Sequence, residues 1–195
     1  MFFSLGGIPG VGKTTVMQYT LQLAWEEGFG IQDAHKHRIL YELAGVSSKF
    51  QYVQLPHATR AGAHLALIDR LRVAETADPN GIRIRDDHFA YPHSDGSCFI
   101  RPINSMDYQY LVGIFILTAD PPIILARRID DDLALRPEHT NDTLATVTAH
   151  QCLEISTACQ QAAVLGIPFR MLENDGNSVE DVARKLLRFI QEVYS

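Results

Sequence analysis

Gly7-Ile8-Pro9-Gly10-Val11-Gly12-Lys13-Thr14, followed by Thr15, has the G-x-x-x-x-G-K-[ST] spacing of a phosphate-binding loop, or P-loop. Its glycines allow the tight backbone turn that brings several N–H groups against a polyphosphate, and a side chain at Gly10 or Gly12 would obstruct that approach. The stretch therefore predicts a nucleotide site. The residues expected to contact the phosphates are Gly7, Gly10, Val11, Gly12, Lys13, Thr14 and Thr15.

The residues around the glycines support this interpretation. Lys13 supplies a mobile positive charge for the terminal phosphates, and the Thr14 hydroxyl can bind Mg²⁺. A helix that begins here adds the positive end of its dipole. The apolar run at 1–5 is typical of a buried strand, and 14–27 reads as a helix. Strand, loop and helix thus come in the order that a P-loop requires.

The rest of the chain alternates predicted strands and helices. Further strands are expected at about 29–34, 82–85, 111–117 and 167–172, and Ser178 is expected to cap the last helix. A polar loop is expected at 46–56 and an irregular stretch at 91–104. This alternation predicts a three-layer α/β P-loop NTPase fold, with a parallel sheet of about five strands flanked by helices. We expect a single domain over residues 1–195, because neither a repeat nor a long linker divides the chain.

Two helices predicted after the second strand form an insertion at about 36–76. In the longer one, apolar residues such as Leu65, Ile68 and Leu71 recur at helical spacing and are expected to face inward. We assign this insertion to the side of the fold that holds the phosphate acceptor.

A polar segment at about 127–142 has the composition of a small lid. Phosphoryl transfer requires positive charge around three equatorial oxygens, which cations on a mobile segment can supply. Arg128 and Arg136 are therefore candidate catalytic residues together with Lys13, and Arg127 is an additional candidate. The alternative is that these arginines are solvated and balanced by the acidic residues at 130–132.

An acidic pair, Asp86 and Asp87, follows the third predicted strand. The carboxyl ends of parallel strands are where open α/β sheets bind ligands. We expect Asp86, ahead of Asp87, to hold Mg²⁺ with Thr14, either directly or through water. The alternative is that both acids are solvated turn residues, since Arg83 and Arg85 give this strand a polar face that a doubly covered strand usually lacks.

Composition excludes several classes of protein. The net charge is −6, without a run of Lys or Arg, which argues against nonspecific binding to nucleic acid or anionic membranes. Cys98, Cys152 and Cys159 form no C-x-x-C pair, which favours a reducing cytoplasm over a disulfide framework. The histidines lack the spacing of a tetrahedral zinc site, and no stretch approaches the length of a membrane span.

Several segments together resemble the archaeal-type adenylate kinases. They are the opening Gly7–Val16, Glu26-Glu27-Gly28, Asp86-Asp87-His88, Ala126-Arg127-Arg128 with Arg136, and His150-Gln151 in a helix ending near Gly166. The similarity is collinear over nearly the whole chain. It implies a nucleoside-monophosphate-kinase fold, ATP and Mg²⁺ as cofactors, conversion of AMP to ADP, and a homo-oligomeric state. It also implies that the P-loop residues bind ATP, that Asp86 lies near Mg²⁺, and that Arg128 and Arg136 belong to the lid.

The resemblance implies an arginine for the acceptor's phosphate at 49–56, where this chain has none. Arg60, Arg85 or Arg101 are the candidates to replace it. The leading interpretation is a cytoplasmic Mg-ATP-dependent kinase acting on AMP. The alternatives are a small-molecule kinase with a hydroxyl acceptor and a regulatory ATPase that acts on a protein partner. A GTPase switch is disfavoured, because the chain has no Asn-Lys-x-Asp motif.

Overall fold

The computed structural model describes residues 1–92, 98–130, 142–176 and 178–194. The strands in these ranges are Phe2–Gly6 (β1), Ile31–Asp33 (β2), Ile82–Asp86 (β3), Ala90–Pro92 (β4), Cys98–Ile100 (β5), Leu111–Thr118 (β6) and Phe169–Glu173 (β7). The helices are Lys13–Glu26 (α1), Lys36–Leu43 (α2), Lys49–Gln54 (α3), His57–Ala77 (α4), Ser105–Tyr110 (α5), Pro121–Asp130 (α6), Leu144–Leu165 (α7) and Val179–Tyr194 (α8).

Five strands form one parallel sheet in the order β2-β3-β1-β6-β7. The strands β4 and β5 form an antiparallel pair outside this sheet. Because the five parallel strands run in the same direction, their carboxyl ends share one edge, and the P-loop follows the central strand β1 at that edge. The fold is therefore the three-layer α/β P-loop architecture expected from the sequence.

Helices cover both faces of the sheet. On one face, Phe3 and Phe115 belong to an apolar cluster that also includes Leu186 of α8. On the other face, Phe2 and Ile116 belong to a cluster shared with α4, α5 and α7. Coverage on both sides explains why β6 is apolar along almost its whole length. No helix in the described ranges is long and apolar enough to cross a membrane.

Strand β3 lies inside the sheet, between β2 and β1, although two of its residues are arginines. The guanidinium of Arg83 lies 3.2 Å from Glu75 and 3.1 Å from Asp78. The Arg85 guanidinium lies 3.0 Å from the carboxylate of Asp107. Both arginines are buried. The polar face noted in the sequence is thus satisfied by ion pairs inside the protein, which makes the burial of these charges possible.

Two local predictions are wrong. The expected polar loop at 46–56 contains the short helix α3, whose N-cap Ser48 accepts a hydrogen bond from the Gln51 N–H. The stretch at 91–104, expected to be irregular, contains β5 and most of β4, and it is followed by the unpredicted helix α5, whose N-terminus has a capping box of Asn104 and Asp107. Both helices have six residues, too few for apolar periodicity to reveal them.

The predicted helical insertion corresponds in sequence to α2, α3 and α4, which lie between β2 and β3 in chain order. Its assignment to the acceptor side stays a prediction. Of the predicted lid, residues 131–141 lie outside the described residues, and Arg136 is among them.

Candidate active site

The P-loop turns on three glycines with positive φ angles, which are 136° at Gly7, 89° at Gly10 and 92° at Gly12. Residues with a side chain rarely adopt this region of backbone space. Space is also limited: a Cβ atom at Gly12 would lie 2.6 Å from Nδ2 of Asn174, and one at Gly7 would lie 2.6 Å from the carbonyl oxygen of Leu117. The glycines are therefore required both by conformation and by close packing.

Lys13 is the first residue of α1, and its side chain is 7% exposed. Its ammonium donates a hydrogen bond to the carbonyl oxygen of Gly7 and lies 3.8 Å from Oδ1 of Asp86. Thr14 and Asp86 line the same cavity next to the loop. The structure thus brings Lys13, Thr14 and Asp86 together, although they come from two different elements. Their roles at the phosphates and at Mg²⁺ stay predictions.

The two acidic residues after β3 have different surroundings. Asp87 is 1% exposed, and its carboxylate accepts hydrogen bonds from Ser4 at 2.7 Å, Lys36 at 2.6 Å and Arg85 at 2.5 Å. Burial opposes its ionisation, but Arg85 and Lys36 hold the pKa of Asp87 well below its usual value. Both of its oxygens are occupied by internal donors. Asp87 is therefore an internal counter-ion.

Asp86 is suited to a metal. Its Oδ1 atom is buried and has no hydrogen-bond partner among the residues that the structure describes. Mg²⁺ prefers oxygen ligands and usually binds through one or two protein groups plus phosphate oxygens and water. Asp86 and the Thr14 hydroxyl fit that donor set. Within the described ranges, no group of three His, Cys, Asp or Glu side chains is arranged around a common metal position.

A carboxylate of α7, that of Glu154, is hydrogen-bonded to the first glycine of the P-loop. Glu154, 1% exposed, accepts hydrogen bonds from the backbone N–H groups of Gly7 at 3.0 Å, Phe89 at 2.8 Å and Ala90 at 2.7 Å. Burial raises the pKa of Glu154, and the Gly7 and Ala90 N–H groups oppose that rise. One side chain thus joins α7, the start of the P-loop and the turn after β3.

The arginines at the end of α6 contact the P-loop on its other side. Nε of Arg128 donates to the Pro9 carbonyl at 2.8 Å, and Nη1 donates to Asp142 at 2.6 Å. Arg127 donates to the carbonyl of Gly10 at 3.4 Å and to that of Asn174 at 3.1 Å. These two arginines hold the backbone around the loop. The catalytic role of Arg128 stays a prediction, and Arg136 lies outside the described residues.

Next to the P-loop is a cavity of about 210 Å³. It lies among the start of α1, the ends of β2 and β3, and the first turn of α2, and its wall includes Thr14, Asp33, Lys36, His37 and Asp86. Asp33 accepts a hydrogen bond from the His35 N–H at 2.7 Å, and a carboxylate oxygen lies 3.0 Å from Nδ1 of His35. The position of this cavity makes it the candidate acceptor site.

Two histidines near the site, His37 and His88, have lowered pKa values. Burial, followed by the charges of Lys13 and Lys36, lowers the pKa of His88 well below its usual value. Burial and Lys36 also lower the pKa of His37, whose Nδ1 lies 4.0 Å from Asp86. The nearby cations thus disfavour further positive charge.

Arg60, Arg85 and Arg101 were proposed to bind the acceptor's phosphate in place of the missing arginine, and they differ in how many of their N–H donors are already hydrogen-bonded. Arg85 is occupied by Asp87 and Asp107. Arg101 donates from Nη1 to Asp107 at 2.8 Å, while its buried Nε and Nη2 lack a partner in the described part of the chain. Nε of Arg60 on α4 is likewise buried and without a partner among the described residues. Arg85 is therefore structural, and Arg60 and Arg101 retain donors.

Sequence reasoning missed Asp33, Lys36 and Glu154. Asp33 ends β2, and its position at the carboxyl end of a parallel strand was a signal of the same kind that identified Asp86. Glu154 gave no comparable signal, because a single acid in the middle of a helix normally faces solvent. The pairing of Lys36 with Asp87 joins residues 51 positions apart, which no local pattern encodes.

Comparison with known proteins agrees with the observed fold. The chain is 22% identical over 191 residues to an adenylate kinase of Methanopyrus kandleri, with 96% of each protein covered. No protein-family model matches the chain. Among solved structures, shikimate kinase from Acinetobacter baumannii in complex with shikimate is 14% identical, with a TM-score of 0.56 over 98% of this chain and 93% of that one.

A second shikimate kinase, from Bacteroides thetaiotaomicron, is 15% identical, with a TM-score of 0.53 and 98% of each chain covered. Structural likeness at this level of identity concerns the fold, and the fold that these chains share is that of a small P-loop kinase. Together with the whole-length sequence match to a kinase, this shared fold supports the interpretation of the protein as a phosphotransferase.

Proposed function

We propose that this protein transfers the γ-phosphoryl group of Mg-ATP to a small acceptor bound in the cavity beside the P-loop, and that the acceptor is a nucleoside monophosphate, with AMP as the first choice. The observation that carries this proposal is the position of Asp86. Its Oδ1 lies 3.8 Å from the Lys13 ammonium and has no hydrogen-bond partner among the described residues, and Asp86 lines the same cavity as Thr14. A lysine, a hydroxyl and a carboxylate at this spacing are what a Mg-nucleotide needs.

Each chain element has a distinct task in this proposal. The P-loop backbone and Lys13 bind the phosphates of the donor, and Thr14 and Asp86 hold Mg²⁺, which neutralises charge on the phosphate oxygens when it is bound. Arg128 orients the loop through Pro9, and Arg136 is proposed to supply positive charge to the transferred group. Glu154 keeps the start of the loop in place.

Transfer proceeds in line. A bond forms between an acceptor oxygen and the γ-phosphorus, the bond from that phosphorus to the β,γ-bridging oxygen breaks, and its electron pair stays on ADP. A monophosphate acceptor is already ionised at neutral pH, so the transfer requires no general base. AMP is supported by the kinase relative, which matches along 96% of its length and is named an adenylate kinase.

A second candidate function is favoured by Asp33. This carboxylate lies in the cavity wall and is 25% exposed, so it could accept a proton from an acceptor hydroxyl. A hydroxyl-bearing metabolite is then the acceptor, as it is for the shikimate kinases that share the fold. The two candidates differ in one residue requirement, because only a hydroxyl acceptor needs a base at Asp33.

The experiment that tests the proposal is ADP release from Mg-ATP in the presence of a panel of monophosphates and hydroxy acids. Turnover that depends on AMP supports the first candidate, and turnover only with a hydroxyl metabolite supports the second. Hydrolysis that needs no acceptor contradicts both and favours a regulatory ATPase.

Two variants control this experiment. Lys13→Ala should abolish ADP release with any acceptor, whereas Lys185→Ala, which removes an exposed lysine on α8, should leave it unchanged. An active Lys13→Ala enzyme contradicts the assignment of the donor site. Asp33→Asn should strongly slow ADP release with a hydroxyl acceptor and should change ADP release with a monophosphate acceptor little.

A further inference from the structure

Lys36 is a second lysine next to the candidate metal position. It is the first residue of α2, and its side chain is 11% exposed and lines the cavity that Thr14 and Asp86 also line. Its ammonium donates to the backbone carbonyl of Asp86 at 3.2 Å and to Oδ1 of Asp87 at 2.6 Å. An ammonium carries three donors, so one remains for a ligand in the cavity.

Asp87 holds this ammonium in place. Its carboxylate is anchored by Ser4 and Arg85, which occupy Oδ2 and leave Oδ1 for Lys36. All of these groups are buried or nearly so, and a flexible lysine loses most of its freedom in such a setting. Lys36 is thus preorganised, and a ligand that binds it does not have to order the side chain.

Further cations lie near Lys36. Asp87 is shared between Lys36 and Arg85, and Arg85 also pairs with Asp107. Arg60 on α4 adds a buried Nε that has no partner within the described ranges. Burial, followed by the charge of Lys36, lowers the pKa of His64, to which His37 and Arg60 also contribute. On its α2 side, the cavity wall therefore carries the cation Lys36.

We infer that Lys36 binds the oxyanion of the acceptor, a phosphate or a carboxylate, with Asp87 as the residue that positions it. This inference rests on the proposed function and specifies its acceptor side. It accounts for the missing arginine at 49–56, because a lysine on α2 supplies the positive charge from another element. Phosphate and carboxylate share the required chemistry, and the choice of probes separates them.

The test compares charged and uncharged versions of the same ligand. Dissociation constants for AMP and adenosine, and for shikimate and its methyl ester, are measured on the full chain and on Lys36→Met by calorimetry. Loss of a charge-assisted hydrogen bond should weaken the anionic ligand by roughly 10- to 100-fold, while the uncharged analogue changes by less than about threefold. The affected pair identifies the acceptor's anionic group. ATP affinity should be unchanged.

Three further variants separate binding from structure. Lys36→Arg retains the charge and should recover much of the preference for the anionic ligand, and Lys185→Met on α8 should behave as the wild type. Asp87→Asn should raise the KM for the acceptor through a less ordered Lys36. Its effect on kcat and on the KM for ATP should be smaller.

Equal weakening of the charged and uncharged ligands in Lys36→Met overturns the inference, as does a wild-type protein that shows no preference for either anion. Failure of the proposed function has a different signature, since it is absence of acceptor-dependent ADP release in the wild type. A Lys36-dependent preference for an anion without turnover would retain the site and reject the kinase activity.

Discussion

The carboxylate of Glu154 accepts a hydrogen bond at 3.0 Å from the backbone N–H of Gly7, 147 residues earlier in the chain. The same carboxylate accepts from the N–H groups of Phe89 and Ala90. Helix α7 thereby sets the position of the first glycine of the P-loop relative to the turn after β3. This contact fixes the start of the P-loop, whose later backbone N–H groups are expected to face the ligand.

Glu154→Ala should lower the free energy of unfolding by about 3–6 kcal/mol, since three buried N–H groups lose their acceptor and each costs about 1–2 kcal/mol. Glu154→Gln keeps one acceptor oxygen and should cost about half as much. Urea denaturation of both variants measures this difference. Equal stability of Glu154→Ala and the wild type would contradict the role given to the carboxylate.

Asp86→Asn should mainly reduce activity, whereas Asp87→Asn should mainly reduce stability. Asp87→Asn leaves Lys36 without its counter-ion and Arg85 with Asp107 alone, and should cost about 3–5 kcal/mol of stability. Asp86→Asn should change stability by less than about 1 kcal/mol, but should reduce Mg-dependent ADP formation at least about tenfold. Urea denaturation and titration of activity with Mg²⁺ measure the two effects. A reversed pattern would move the metal site to Asp87.

Gly12→Ala should weaken ATP binding at least about tenfold, because its Cβ would meet Asn174 at 2.6 Å and the added side chain blocks the approach of phosphate. Gly45→Ala is the matched control, since Gly45 also has a positive φ, 70°, but its added Cβ meets no atom of the described structure within 4 Å. Calorimetry with ATP compares the two. Equal losses of ATP affinity in the two variants would mean that backbone strain alone causes the effect.

Arg128→Lys should weaken ATP binding and lower stability by roughly 1–3 kcal/mol, because a lysine cannot donate to Pro9 and Asp142 in the forked geometry of a guanidinium.

Arg136→Ala should instead slow transfer much more than it weakens ATP binding, as expected of a charge that acts in the transition state. Single-turnover kinetics and ATP titrations separate the two. Equal losses of rate and affinity in Arg136→Ala would contradict its predicted role.

Stability should fall as the pH decreases from about 6.5 towards 4, because of His150. Burial lowers the pKa of His150 to about 4 from a usual value of 6.5, so between these values the unfolded chain binds a proton that the folded chain does not. His150→Asn should lose less stability than the wild type between about pH 7 and pH 5. Urea denaturation at both pH values measures this, with the exposed His57→Asn as control. An unchanged pH dependence in His150→Asn would contradict the prediction.

Much of the fold was predictable because its signals are local. The P-loop spacing, the apolar run of β6 and the alternation of strands with helices each occupy one continuous segment. The inward face of α4 was less predictable. Leu65 was expected to face inward but is 68% exposed, whereas Ala63, Leu67, Leu71 and Glu75 are buried. Glu75 is buried because it forms an ion pair with Arg83 of β3, a partner outside the helix.

The sequence by itself determined the P-loop, the α/β class and the acidic pair at the carboxyl end of β3, since each follows from residues adjacent in the chain. Only the tertiary structure decided that Asp87 is an internal counter-ion, whereas Oδ1 of Asp86 has no hydrogen-bond partner among the described residues. It also brought Lys36 and Glu154 to the site. The physical reason is that ionisation and hydrogen bonding depend on which distant groups are buried together, and spacing along the chain does not encode that proximity.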